Sequence, residues 1–205
     1  MLRWLALGDS YTIGEGVEPE DGWPVRLAAL LRLEGFEIAD PEILARTGWT
    51  TDDLGAGMDR AALRGTYDLV SLLVGVNDQY RGGEAEEYRP RFRAVLRRAV
   101  SLSGGGAGRV LVLAIPDWGA TPFAEGRDRA RIAAGIDRFN EVNRAETDSA
   151  GARYVDVTRA SRHAGSYGSP ALVAPDGLHP SGALHAEWAR LALPHARAAL
   201  GAPAS

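Results

Sequence analysis

The chain has 205 residues, no cysteine and no lysine, so that all 23 basic residues are arginine, and its formal net charge is −4. The length favours one domain, predicted over residues 1–205, and the missing cysteine excludes disulfides, cysteine-containing zinc sites and a cysteine nucleophile. The missing lysine excludes Schiff-base enzymes, P-loop NTPases and serine–lysine hydrolases. A pI near 5.6 argues against nucleic acid or an anionic membrane surface as a partner.

No part of the sequence resembles a membrane span or a signal peptide. Runs of 18 or more apolar residues do not occur, and residues 1–4 lead into a short apolar run without a signal-peptide hydrophobic region or cleavage site. We therefore expect a cytoplasmic protein that is not an integral membrane protein.

Short apolar runs alternate along the chain with longer stretches of helical period. Strands are predicted at 4–7, between 36 and 45, and at 69–74, 110–115 and 154–157. Such near-continuous apolar strands are typical of a parallel sheet that is covered on both faces. Because proline cannot donate to a ladder, the second strand, which contains Pro41, belongs at an edge.

The intervening helices are predicted from apolar residues at helical spacing. Pro24 suits the first turn of one helix, and Thr50 and Asp53 have capping-box spacing at the start of the next. The later helices carry these apolar residues on one side: Phe92, Leu96 and Val100; Ile132, Ile136 and Phe139; Leu184, Trp188 and Leu191. Pro194 is expected to end or kink the last helix. The alternation of strand and helix predicts an α/β fold, a three-layer α/β/α sandwich.

Polar residues follow the predicted strands at the sheet's carboxyl edge, where open parallel sheets carry their reacting groups. Ser10 lies in the sequence GDSY after the first strand, and Asn77 in GVND after the run 69–74. Asp176 and His179 lie in DGLHP before the last helix. Each motif alone is a weak signal, but their occurrence together, in this order and at strand ends, is a strong one.

These blocks resemble those of the SGNH hydrolases, the GDSL-type esterases and lipases. GDSY matches the first family block, Gly48 the second, GVND the third and DGLHP the fourth, so the resemblance runs from residue 8 to residue 180. Tyr11 stands where the family name has leucine. The resemblance implies a flavodoxin-like five-stranded sheet in the order 2-1-3-4-5 and the hydrolysis of carboxylic esters.

The resemblance also implies roles for individual residues. Ser10 would be the nucleophile, His179 the base that removes its proton, and Asp176 the group that orients the imidazole. The oxyanion hole would consist of the backbone N–H groups of Ser10 and Gly48 and the side-chain amide of Asn77. No cofactor and no metal is expected in this chemistry.

Further residues near the same rim are candidates for binding the substrate, a small acyl ester. They are Tyr11, Trp49, Gln79, Trp118 and Phe123. For the two aromatic residues of the loop 116–127, packing of the loop onto the core is an equal alternative, and Gln79 could instead complete a turn. Because only short loops remain to cover the site, we expect a preference for short, acetyl-like acyl groups.

Several alternatives remain open at this stage. A thioesterase, a lysophospholipase or a carbohydrate acetylesterase would use the same site on another leaving group, and a binding module with a decayed site belongs to a different class. Asp176, His179 and His185 could form a metal site only with an unusual ligand spacing. An α/β-hydrolase is excluded because the sequence has no G-x-S-x-G. Asp9 is expected to be structural, and His163, His185 and His195 to lie on the surface or between helices.

Overall fold

Five parallel strands form one sheet in the computed structural model, which describes residues 1–61, 63, 65–164 and 171–202. The strands are β1 (Trp4–Gly8), β2 (Glu42–Ala45), β3 (Leu69–Leu73), β4 (Val110–Leu113) and β5 (Arg153–Val155). Their order is β2-β1-β3-β4-β5, which confirms the predicted order. The predicted domain 1–205 also contains residues outside the described ranges, and its boundaries stay a prediction.

The burial of each strand follows its place in the sheet. All residues of β1, β3 and β4, the three central strands, are buried, as their apolar sequences require. The edge strand β2 is half exposed, and Pro41 directly precedes it rather than interrupting it. The prediction of an edge position is therefore confirmed, although the strand begins later than its apolar pattern indicates.

Eight α-helices are found in the described part of the chain. They are α1 (Ser10–Ile13), α2 (Trp23–Leu33), α3 (Thr51–Arg60), α4 (Val76–Tyr80), α5 (Ala85–Leu102), α6 (Arg129–Ala150), α7 (Thr158–Ala164) and α8 (Gly182–Leu200). Helix α2 packs against α8, while α5 packs against both α3 and α6, so that two helical layers enclose the sheet. This is the predicted three-layer α/β/α sandwich.

Helix α8 departs from the prediction. It continues through Pro194 to Leu200, so this proline does not end the helix, and of the two expected effects only a kink stays a prediction. An internal proline costs about 3 kcal/mol. Buried apolar residues of α8 lie on both sides of Pro194, and their burial against the rest of the protein offsets that cost. They are Leu184, Trp188, Ala189, Ala192, Ala196, Ala199 and Leu200.

The carboxyl ends of β1, β2 and β3 lie side by side at one edge of the sheet. Gly8, the last residue of β1, pairs with Ala45 of β2 and Leu73 of β3. A Cβ at Gly8 would collide with the Thr12 side chain and the Leu73 carbonyl oxygen, so only glycine lets the chain turn here from β1 into α1. The turn brings Ser10 to the same edge as the loops that follow β2 and β3.

Candidate active site

Ser10 lies at the first position of α1, where the chain has just left the sheet. The Asp9 side chain caps this short helix by accepting a hydrogen bond of 3.1 Å from the Tyr11 backbone N–H. Asp9 is fully buried and does not line the cavity beside Ser10, in keeping with the expected structural role. Ser10 itself is 6% exposed, so its hydroxyl is accessible only through the cavity described below.

The loop before α8 brings His179 onto the Ser10 hydroxyl. His179 Nε2 lies 3.0 Å from Ser10 Oγ, and Nδ1 lies 2.5 Å from Asp176 Oδ2. The tautomer with its proton on Nδ1 satisfies both contacts, because it donates to Asp176 and accepts from Ser10. A hydroxyl, an imidazole and a carboxylate connected in this way can generate a serine nucleophile.

Asp176 is fixed by the backbone of its own loop. Its Oδ1 accepts hydrogen bonds of 2.9 Å from the N–H groups of Leu178 and His179. Burial raises the pKa of Asp176, but the hydrogen bonds from the His179 side chain and from these two N–H groups outweigh burial and hold the pKa below its usual value. The carboxylate is therefore ionised at neutral pH and can stabilise a positive charge on the imidazole.

The Asn77 side chain lies at the start of α4, directly after β3. Its Nδ2 donates a hydrogen bond of 2.9 Å to the Trp49 carbonyl oxygen, which fixes the orientation of the amide. The amide nitrogen carries two hydrogens, so one remains for a group in the cavity that Asn77 lines. Gly48, on the neighbouring loop, has a φ of +77°, a conformation that favours glycine.

Hydrogen bonds of Arg81 and Asp78 join the loop of Gly48 and the start of α3 to α4 and the residue that follows it. Arg81 Nη2 donates a hydrogen bond of 2.8 Å to the Gly48 carbonyl oxygen. Asp78 Oδ2 accepts from the backbone N–H of Thr51 at 2.9 Å and from its hydroxyl at 3.1 Å, which joins α4 to the start of α3. Helix α3 begins with the predicted capping box of Thr50 and Asp53. The loop of Gly48 is thus held at both ends.

A cavity of about 180 Å³ opens beside Ser10. The residues that surround it are Ser10, Tyr11, Thr47, Gly48, Val76, Asn77, Tyr80, Trp118, Phe123, Leu178 and His179. The rings of Tyr80, Trp118 and Phe123 contact one another with centroids 5.2–6.2 Å apart and form an aromatic wall. The Tyr11 ring is buried and meets the His179 ring edge-on, at 5.6 Å between centroids.

Two of the predicted substrate-binding residues do not line this cavity. The Trp49 indole packs against α3 at Gly57, where any side chain would collide with it, and only the Trp49 backbone carbonyl reaches toward the site. Gln79 Oε1 instead accepts a hydrogen bond of 2.8 Å from Trp118 Nε1 and so positions that ring. Of the five candidates, Tyr11, Trp118 and Phe123 line the cavity.

Two other residues at the site, Tyr80 and Glu15, are not among the five predicted substrate-binding residues. Tyr80 lies three residues after Asn77 on α4, a spacing that places both on one side of a helix and could have indicated it. Glu15 lies 3.9 Å from His179 Nε2 through its Oε2, and no pattern in the sequence indicates this contact. Its position depends on the left-handed turn at Gly14 that ends α1.

His163, His185 and His195, the histidines outside the motifs, do not line the cavity beside Ser10. His185 is fully buried, and its Nδ1 accepts a hydrogen bond of 3.3 Å from the Trp23 backbone N–H between α2 and α8. His163 is exposed on α7. No group of three potential metal ligands occurs among the described residues, and none of the helices they form is long and apolar enough to cross a membrane.

Comparison with known proteins identifies the family. The model of the GDSL-like lipase/acylhydrolase family matches residues 6–187. The solved structure of Axe2, an acetylxylan esterase from Geobacillus stearothermophilus, is similar with a TM-score of 0.71 and 21% identity, over 95% of this chain and 94% of that one.

Two further structures share the fold. TesA is similar with a TM-score of 0.72 and 21% identity, over 97% of this chain and 99% of that one. A member of the lipolytic protein G-D-S-L family from Veillonella parvula has a TM-score of 0.72 and 16% identity, over 95% and 97% of the two chains. The comparison with curated proteins gives no match. The chain belongs to the GDSL-like lipase/acylhydrolase family and is a carboxylic ester hydrolase of the GDSL type.

Proposed function

We propose that the protein hydrolyses esters of short, acetyl-like carboxylic acids with Ser10 as its nucleophile. The observation that carries this proposal is the pair of hydrogen-bond contacts that link Asp176 to His179 and His179 to Ser10, beside a cavity of about 180 Å³. This volume is below the roughly 300–1,000 Å³ of pockets for drug-sized ligands, so it suits a small acyl group.

In the first half of the reaction, Ser10 Oγ attacks the ester carbonyl carbon while its proton passes to His179 Nε2. The carbonyl electron pair moves onto oxygen, and Asp176 stabilises the imidazolium without taking its proton. When the tetrahedral intermediate collapses, the bond to the alkoxy oxygen breaks and the imidazolium protonates that oxygen. The alcohol leaves, and the acyl group stays on Ser10.

The second half repeats these steps with water. His179 removes a proton from water as the water oxygen attacks the acyl carbon, and the imidazolium then returns a proton to Ser10 Oγ as the carboxylic acid leaves. In both halves the negative oxygen would accept hydrogen bonds from the N–H groups of Ser10 and Gly48 and from the second hydrogen of the Asn77 amide.

Alternatives within this proposal differ in the leaving group. A thioesterase, a lysophospholipase and a carbohydrate acetylesterase would all use the same nucleophile and oxyanion donors. A binding module with a decayed site is disfavoured, because Ser10, Asn77, Asp176 and His179 are all present and three of them are in hydrogen-bond contact.

A series of 4-nitrophenyl esters from acetate to palmitate, assayed with the wild type beside Ser10→Ala, tests the proposal. We expect the wild type to hydrolyse acetate and butyrate esters and the variant to hydrolyse none. Hydrolysis by Ser10→Ala at wild-type rates would exclude Ser10 as the nucleophile. A kcat/KM that rises steadily to palmitate would exclude the short-chain preference.

A further inference from the structure

Glu15 places a second carboxylate beside His179, on the side of the ring that faces Ser10. Glu15 Oε2 lies 3.9 Å from His179 Nε2, whereas Asp176 contacts Nδ1 at the other side. The Glu15 side chain is 36% exposed, so it is also open to a molecule that enters from solvent.

Contacts on both sides hold Glu15 in this position. Its backbone N–H donates a hydrogen bond of 3.1 Å to the Ser10 carbonyl oxygen, at the end of α1. Its carboxylate accepts a hydrogen bond from the hydroxyl of Thr47, which lines the cavity next to Gly48. Glu15 therefore connects the loop of Ser10 to the loop of Gly48.

Glu15 lies next to the atom that must meet the oxygen of the leaving group, which is His179 Nε2. His179 Nε2 must protonate that oxygen, so the remainder of the alcohol extends from a point close to Nε2. A carboxylate 3.9 Å from Nε2 therefore acts directly on any charge that the alcohol carries.

An open cleft of about 880 Å³ continues from Glu15 past the Asp176–His179 loop. Glu18 and Asp21 line it, and none of its described lining residues is basic. A Cβ on Gly16, the residue after Glu15, would lie 3.7 Å from both Asp176 Oδ2 and His179 Cβ, which places this cleft against the same loop. Asp21 forms an ion pair with Arg26, so the negative charge beyond Glu15 comes mainly from Glu18.

Arg81 and Arg127, which contact residues that line the cavity, are engaged there and not with Glu15. Arg81 donates to the Gly48 carbonyl oxygen and lies 3.8 Å from Asp53. The Arg127 guanidinium lies over the aromatic wall, 5.0 Å from the centroid of the Phe123 ring and 5.5 Å from that of Trp118. Neither forms a hydrogen bond or an ion pair with Glu15 in the described part of the chain.

We propose that Glu15 is a specificity-determining residue that selects the leaving group by charge, favouring esters of cationic and uncharged alcohols over those of anionic ones. This inference rests on the proposed function and narrows it. Leaving groups that bear phosphate, such as a coenzyme A thiol or a lysophospholipid head group, are disfavoured relative to uncharged polyols such as sugars.

Three acetate esters that differ mainly in charge test the inference: acetylcholine, its uncharged isostere 3,3-dimethylbutyl acetate, and the anion 4-acetoxybutanoate. In the wild type we expect kcat/KM to fall in that order, by about threefold to tenfold per step, as expected for one charge at 5–8 Å in a partly solvated site. In Glu15→Gln, which keeps an oxygen for the Thr47 hydroxyl, the ratios between the three esters should fall to within about twofold.

Two control variants separate charge from structure. Glu15→Asp keeps the charge and should keep the order of the three esters, and Glu18→Gln removes a carboxylate of the same cleft that does not contact His179 and should also keep it. A wild type that treats the three esters equally or prefers the anion, or a Glu15→Gln variant with wild-type ratios, would overturn the inference. Each of these results is compatible with Ser10 as nucleophile, whereas activity of Ser10→Ala would overturn the proposed function itself.

Discussion

In the proposed reaction Ser10 and His179 depend on each other, because a serine hydroxyl is a poor nucleophile until a base, here the imidazole 3.0 Å away, accepts its proton. Ser10→Ala and His179→Ala should therefore each abolish ester hydrolysis, and the double variant should be little worse than either single one. The measurement is kcat for 4-nitrophenyl acetate, with thermal unfolding as a check of the fold. Losses that multiply in the double variant would mean that the two residues act independently.

Asn77 should act on the transition state rather than on the bound substrate. Its amide is held by the Trp49 carbonyl, so the second hydrogen is oriented before any negative charge develops. We expect Asn77→Ala to lower kcat by about 10²–10³ with little change in KM. Asn77→Asp should be at least as damaging, because a carboxylate repels the oxyanion. An effect on KM alone would make Asn77 a substrate-binding residue.

At the scale of elements, we expect the loop between β4 and α6 to determine how long an acyl chain the cavity accepts. Trp118 is 5% exposed and is held by Gln79, whereas Phe123 is 38% exposed at the rim. A methylene that becomes buried contributes about 0.8 kcal/mol, roughly fourfold in kcat/KM, while one that stays in water contributes nothing. The gain should therefore stop after butyrate and reverse by octanoate.

Trp118→Ala should move this chain-length optimum toward longer esters and leave the pH profile unchanged. Trp49→Ala is the matched control, because the Trp49 indole packs on α3 rather than in the cavity. Kinetics on the 4-nitrophenyl ester series measure both variants. If the two alanine variants alter the chain-length profile equally, the aromatic wall does not set the preference.

Trp49 and Pro194 show what a sequence pattern leaves undetermined. An aromatic residue next to Gly48 was a reasonable candidate for the cavity, but the absence of a side chain at Gly57 provides space for its indole on α3. Proline disfavours a helix interior, but tertiary packing on both sides of Pro194 outweighs that preference. In both cases the deciding contact is with a residue distant in sequence or on another element.

At the scale of the whole molecule, the sheet order and the approach of Ser10, Asn77 and His179 were predictable. Parallel strands bring their carboxyl ends to one edge, so residues that follow different strands meet there whatever their separation in sequence. The position of Glu15 was not predictable in this way. It depends on a left-handed residue at Gly14 and on the distance between two loops, neither of which has a sequence pattern of its own.

Two buried groups should make the stability of the whole protein depend on pH in opposite directions. Burial, with a smaller contribution from Asp78, raises the pKa of Asp9 from 3.8 to about 8. Burial and the nearby Arg26 lower the pKa of His185 from 6.5 to about 4. Between pH 4 and 8 the folded protein keeps a proton on Asp9 that the unfolded chain has lost, so stability falls as pH rises through this range.

His185 has the opposite effect, because between pH 4 and 6.5 the unfolded chain binds a proton that the folded protein does not. Its contribution to stability is complete above pH 6.5 and is lost as pH falls toward 4. The two trends oppose each other between pH 4 and 6.5. Between pH 6.5 and 8 only the Asp9 trend remains, at no more than about 1.4 kcal/mol per pH unit.

We therefore expect the free energy of unfolding to fall between pH 6.5 and 8, and Asp9→Asn to remove that fall. Asparagine keeps an oxygen for the Tyr11 N–H but does not titrate. The measurement is urea unfolding at pH 5, 6.5 and 8, with His185→Gln as the companion variant. In His185→Gln the trend that opposes Asp9 is absent, so the free energy of unfolding should begin to fall near pH 4 instead of near pH 6.5. A decline above pH 6.5 that persists unchanged in Asp9→Asn would assign it to another group.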